Sequence, residues 1–164
     1  TGMANRSLMW GTGTGLILRS LREWRCVGID LNEWAVRRAR LHNPGHWCLV
    51  ADAEALPLRT GSFSMAICTE VLEHSPRPSR ILGEVARVLK PGGVIVGSVP
   101  SKSPIWKLRR VLSSRRNDLE PAHGDYSRAE LRTLLQTMDV LEMRLIACGM
   151  VVLFVARKPL GPGS

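Results

Sequence analysis

Leu8-Met9-Trp10-Gly11-Thr12-Gly13-Thr14-Gly15 is a short apolar run that opens into a loop with glycine at every second position. Glycine lets the backbone turn tightly and lets a ligand approach main-chain N–H groups. The apolar run reads as a strand, and the residues from Leu16 to about Trp24 read as helical. The unit is therefore strand, glycine loop, helix. It is not the dinucleotide fingerprint, because G-x-G-x-x-G needs glycine at position 16, which is Leu16. On its own, a tight strand-to-helix turn accounts for these glycines equally well.

The same rhythm continues outward. Cys26-Val27-Gly28-Ile29 ends in Asp30, and Asn32 can cap a helix reaching about Leu41. Trp47 to Val50 is an apolar run ending in Ala51-Asp52, and Phe63 to Cys68 another ending in Thr69-Glu70. Ser79 to Leu89 has helical spacing, with Ile81, Leu82, Val85, Val88 and Leu89 on one face, and Lys90-Pro91-Gly92-Gly93 stops it. Val94 to Val99 is a fifth strand. Residues 101–126 break the pattern. Ser127 and Glu130 then have capping-box spacing for a helix from about Arg128 to Met138. Val140–Ile146 and Val151–Ala156, with Gly149 between them, read as an antiparallel pair at the sheet edge. Continuous apolar strands alternating with amphipathic stretches predict an α/β fold, with a mostly parallel sheet covered on both faces.

The chain has 164 residues, 45% hydrophobic and 23% charged, which suits one globular domain and argues against disorder or a disulfide-framed mini-protein. One domain over residues 3–160 is expected, with 101–127 as a substrate-side lid or insertion and 161–164 as a flexible tail. The longest uncharged apolar run, Leu145 to Ala156, is too short to span a bilayer. No membrane partner and no secretory leader are expected. Cys26, Cys48, Cys68 and Cys148 are far apart and form no C-x-x-C pair. Each falls in an apolar run, so buried free thiols in the cytoplasm are expected. The net charge is +9, and Lys102 to Arg116 carries basic side chains with no acid. Such a run is more often a solvated helix face than a nucleic-acid surface.

Three successive strand ends carry polar chemistry. Asp30 can accept hydrogen bonds from both hydroxyls of a ribose. Asp52 can accept from an exocyclic adenine amine while the Ala53 N–H donates to a ring nitrogen. Either aspartate alone also fits an N-cap or a surface loop. With the glycine loop, the set describes one crevice for an adenosine.

At this point the sequence resembles the class I S-adenosylmethionine-dependent methyltransferases, in particular the small type 11 group. The matches are Gly11 to Gly15, Val27 to Asp30, Ala51 to Leu58, Glu70-Val71-Leu72-Glu73-His74 and Arg87 to Gly93, in family order. The resemblance implies a Rossmann-like, seven-stranded sheet with the last strand antiparallel. It implies S-adenosyl-L-methionine as cofactor, held by Gly11, Thr12, Gly13, Gly15, Asp30, Leu31, Asp52, Ala53, Thr69 and Glu70. Met9 stands where the family usually has an acid that helps order the loop. The N-terminal helices that often roof the substrate in this family do not precede the first strand, so the pocket is expected either to stand open or to be completed by a second copy or a partner chain.

Glu70, Glu73 and His74 are spaced i, i+3 and i+4, so a helix would place them on one face, with His123 approaching from a loop. Such a set can hold a divalent metal. It is similar to metal-assisted O-methyltransferases of the ubiquinone pathway and of small-RNA 3′ ends. The same residues also suit a helix N-terminus with a packed His74. Chelator-insensitive behaviour is the expectation. His123, His74 and Glu70 are the candidate catalytic residues, needed as a base only where the acceptor starts protonated. Trp106 is placed near substrate, and Tyr126 either shapes the acceptor pocket or is core. The expected activity is methyl transfer to a small-molecule acceptor. The alternatives are an RNA acceptor, suggested by residues 102–116, and a non-catalytic cofactor- or partner-binding module.

Overall fold

The computed structural model describes residues 6–21, 23–105 and 124–161. Seven strands form one sheet: β1 (Arg6–Trp10), β2 (Arg25–Asp30), β3 (Trp47–Val50), β4 (Phe63–Thr69), β5 (Leu89–Pro100), β6 (Asp139–Ile146) and β7 (Val151–Arg157). Their spatial order is 3-2-1-4-5-7-6. β1 to β5 pair in parallel. β7 runs antiparallel to both β5 and β6, so the final hairpin inserts its second strand inside the sheet and leaves β6 at the edge. The order reverses at β1, whose two neighbours are β2 and β4. That is the switch point at which open α/β sheets hold ligands.

Helix α1 (Glu33–His42) covers one face and α2 (Pro78–Val88) and α3 (Arg128–Leu134) the other. Strand alternation decides which residues go where. Cys26 and Cys48 pack with Val36 and Ala39 of α1. Val27, Ile29, Ala66, Cys68, Ile95 and Phe154 point the opposite way, onto Ile81, Leu82, Val85 and Val88 of α2 and Leu131 of α3. Each such side chain contributes about 1.5–3 kcal/mol when fully buried. The α2 stripe recurs at i, i+1, i+4 and i+7, and Pro78 sits where a missing N–H costs nothing. Asn32 caps α1 by accepting from the Trp34 and Ala35 amides, and Ser127 and Glu130 form the expected reciprocal capping box.

Three elements differ from the sequence reading. The helix expected from Leu16 to Trp24 is a single 3-10 turn, Leu18–Ser20. Leu16 and Ile17 are exposed and only Leu18 is fully buried, so no apolar stripe exists to hold a longer helix. α3 ends at Leu134 rather than near Met138. Cys148 is exposed, in the turn between β6 and β7 with a φ of 54°, whereas Cys26, Cys48 and Cys68 are buried as expected.

Candidate active site

The C-terminal ends of β1, β2, β3 and β4 lie side by side, and the loops leaving them carry most of the candidate site. Gly11, Gly13 and Gly15 have φ of 60°, 50° and 86°, the left-handed region that disfavours side chains. A Cβ on Gly11 would stand 2.6 Å from Val71 Cγ2, and one on Gly15 would stand 2.3 Å from Asn43 Nδ2. A Cβ on Gly13 would meet nothing within 4 Å. Gly13 is therefore the point where the loop opens outward.

The loop is fixed from beneath. The Thr12 amide donates to the Ile29 carbonyl at 3.1 Å, and the buried Thr12 side chain packs where Gly28 lacks a Cβ. Asn43 Nδ2 donates to the carbonyls of Gly15 at 3.2 Å and Ala39 at 3.0 Å. Asn43 is buried and was not singled out from the sequence. Its signal there is an Asn-Pro pair just past a helix, which equally marks a plain helix stop.

Asp30 faces the loop. Its Oδ2 accepts from the Gly13 amide at 2.8 Å and its Oδ1 from the Asn32 amide at 2.9 Å. Each oxygen keeps a second lone pair. Leu31 beside it is exposed. Asp52 is also exposed. Its Oδ1 accepts from the Glu54 amide at 2.8 Å and its carbonyl from the Ala55 amide at 3.1 Å, a tight turn that sets Ala53 half-buried against the core.

That turn is tied to α2. Glu84 Oε2 accepts from the Leu56 amide at 2.7 Å, and Arg87 donates to the carbonyls of Leu58 at 2.7 Å and Leu56 at 3.0 Å. The two side chains also pair with each other at 2.7 Å. The Arg87 hydrogen bond holds the Glu84 carboxyl below its usual range, against the opposing effect of burial. A second tie joins Glu54 to Ser75 at 2.8 Å and to Arg77 at 2.7 Å.

At the end of β4 the expected helical face is absent. Glu70 has a φ of 55°, and the following residues form one 3-10 turn, Leu72–His74. Thr69 is half-buried, Glu70 and His74 are exposed and Glu73 is buried, so the three proposed metal ligands do not share a face. Among the described residues no three His, Cys, Asp or Glu side chains are grouped closely enough to hold a metal ion. His123 and Trp106 lie outside the described residues, as does most of the basic stretch 102–116. Tyr126 is a strap. Its hydroxyl donates to the Leu72 carbonyl at 2.9 Å and its amide to the Pro100 carbonyl at 2.9 Å, and burial first, then Glu73, pushes the phenol up. Lys102 is ion-paired with Glu130.

Comparison with known proteins agrees with this geometry. Over 111 residues the chain is 32% identical to a malonyl-[acyl-carrier protein] O-methyltransferase of Methylococcus capsulatus, a match covering 63% of this chain and 40% of that protein. Over 102 residues it is 34% identical to a ubiquinone biosynthesis O-methyltransferase of Albidiferax ferrireducens, covering 57% and 40%. The chain thus matches well under half the length of these relatives. A crystal structure described as a SAM-dependent methyltransferase of Methanosarcina mazei superposes with a TM-score of 0.79 at 24% identity, covering 98% of this chain and 95% of that one. A methyltransferase-domain family model, that of the type 11 group, matches residues 8–97, more than half of the sequence. On that match, with the strand order and the three aligned strand ends beneath it, the chain belongs to the type 11 methyltransferase-domain family.

Proposed function

We propose that this chain binds S-adenosyl-L-methionine and transfers its methyl group to a small-molecule acceptor. The observation that carries the proposal is the alignment of Gly11–Gly15, Asp30–Leu31 and Asp52–Ala53 on adjacent strand ends, with the Gly13 amide bonded to Asp30 at 2.8 Å. The residues suit the cofactor chemically. Asp30 keeps free lone pairs for ribose hydroxyls, Asp52 offers a carboxylate to an amine, and Leu31 offers an apolar side. The open flank of Gly13 is the approach a side chain would fill.

When bound, the sulfonium supplies a reactive methyl donor, so the protein's part is positioning. Gly11, Thr12, Gly13 and Gly15 form the cradle, with Thr69 and Glu70 at its far wall. We take the chain as one domain over 3–160, with 101–127, of which 106–123 lie outside the described residues, as a substrate-side lid or insertion. His123, His74 and Glu70 are the candidates for moving an acceptor proton. The names of the two relatives, a malonyl-[acyl-carrier protein] O-methyltransferase and a ubiquinone biosynthesis O-methyltransferase, support a small-molecule acceptor. No helix among the described residues is long and apolar enough to cross a membrane. Three buried free thiols support a cytoplasmic location.

Calorimetry with S-adenosylhomocysteine tests the binding step, and a panel of acceptors with labelled cofactor tests transfer. Absence of binding at millimolar ligand would overturn the proposal. Binding without transfer to any small molecule or RNA would instead favour a non-catalytic module.

A further inference from the structure

We propose that the outward face of α1 docks on an anionic lipid bilayer. This goes beyond the methyltransferase reading and does not depend on it. α1 buries Ala35, Val36 and Ala39, and on a helix of this type the opposite face is normally polar. Here it carries Trp34, 61% exposed, and Leu41, 79% exposed, two turns apart on one line. Arg37 and Arg38 flank that line, and the Arg38 guanidinium lies 5.0 Å from the centre of the Trp34 ring.

Charge and shape choose the occupant. Within α1 three arginines stand against one acid, Glu33, which pairs with Arg37 at 2.8 Å. A surface that combines tryptophan and leucine with arginine matches the boundary between anionic headgroups and acyl chains. The helix lies flat on the outer layer, so its whole length can meet a plane. It presents a ridge, whereas the residues that anchor protein partners sit in closely packed pockets. Nucleic acid fits less well, because Leu41 offers nothing to a base or a phosphate, and one side of Trp34 is already taken by Arg38. That no helix among the described residues can cross a membrane is a separate matter, since lying on a bilayer needs no spanning segment.

The test is co-sedimentation of the cofactor-free protein with vesicles of equal parts phosphatidylcholine and phosphatidylglycerol, against phosphatidylcholine alone. Binding to the mixed vesicles is expected. The double variant Trp34→Ser/Leu41→Ser keeps every charge, and its two sites are exposed, so its circular dichroism should match the parent. Its vesicle affinity should fall about tenfold or more. Arg37→Glu/Arg38→Glu should remove the preference for the anionic vesicles. The proposal is overturned if the parent does not sediment with them. It is equally overturned if the double-serine variant binds as well as the parent, which would assign the binding to residues 102–116. Polyuridylate binding or self-association that the same variant abolishes, without vesicle binding, would hand the face to nucleic acid or to a second copy. None of these outcomes bears on S-adenosylhomocysteine binding.

Discussion

Asp30 accepts the Gly13 amide at 2.8 Å, so the side chain proposed to hold a ribose is fixed in place by the loop proposed to hold the rest of the cofactor. The Asn32 amide on the other oxygen, at 2.9 Å, completes the clamp and couples the carboxylate to the cap of α1. A carboxylate held by two amides has little rotational freedom left to lose when a ligand arrives.

The first prediction concerns this clamp. Asp30→Ala removes the acceptor for both amides and for both proposed ribose hydroxyls. Bonds to a charged group contribute about 1.5–3 kcal/mol each, so S-adenosylhomocysteine affinity should drop at least tenfold. Asp30→Asn keeps one acceptor oxygen and should fall between the two. Calorimetry on the three proteins checks the ranking, and equal affinities would remove Asp30 from the site.

Substitutions in the loop separate folding from binding. Gly13→Ala meets no neighbour but must hold a φ of 50°, which costs about 1–2 kcal/mol. Its melting temperature should fall modestly while ligand binding is lost, because the new methyl occupies the open flank. Gly15→Ala adds to a similar strain a 2.3 Å approach to Asn43 Nδ2, so it should lose much more stability. Thermal melts read beside titrations distinguish the two, and intact binding by Gly13→Ala would place the ligand elsewhere.

The placement of Asp30, Asp52 and the glycine loop at strand ends was legible in the sequence because each follows directly from a strand that reads as a continuous apolar run. The sheet was legible for the same reason, and Asn32, Ser127 and Glu130 declared their caps by residue type and spacing. The helix after the loop was misread because Leu16, Ile17 and Leu18 look like a helical start, yet burial of Leu18 without its neighbours is decided by tertiary packing. The spacing of Glu70, Glu73 and His74 brings them to one face only on a regular helix, and Glu70 at positive φ, followed by a single 3-10 turn, ends that premise. Asn43 and the Glu84–Arg87 pair act across 28 to 31 residues of sequence, a separation over which no local pattern reports contact.

The four cysteines should divide sharply toward alkylating reagents. Burial, then the nearby Cys48, pushes the Cys26 thiol up to about 11, and burial, then Glu73, pushes Cys68 up to about 12. Burial raises Cys48 as well, with Arg40 opposing. Only the thiolate reacts, so at about pH 8 these three should be inert in the folded protein. Cys148 is exposed and should react alone. Mass spectrometry after iodoacetamide should find one adduct, lost in Cys148→Ser, and four in denaturant. Early labelling of Cys26 would contradict the packing of α1 on β2.

The tie between α2 and the Asp52 turn makes a pH-dependent prediction. In the folded protein the Glu84 carboxyl is held below its ordinary value of 4.5, chiefly by its hydrogen bond to Arg87. A carboxyl lowered by folding stabilises the protein above its unfolded pKa and loses that contribution as pH falls through the folded one. Arg87→Ala removes the partner and both backbone contacts, and should cost about 1–3 kcal/mol near neutrality. Below about pH 4.5 the unfolded chain's carboxyl takes up its proton first and the folded parent's only at lower pH, so the stability gap between parent and variant should narrow as acid is added. Arg87→Lys restores the charge but not the forked contacts to Leu56 and Leu58, and should recover only part of the loss. Denaturant melts of the three proteins across the acid range measure the gap directly. A gap that stays constant with pH would mean that Arg87 acts through its carbonyl contacts alone. Because the same side chain steadies Leu56 and Leu58, the alanine variant should also bind S-adenosylhomocysteine more weakly without any change at Asp30.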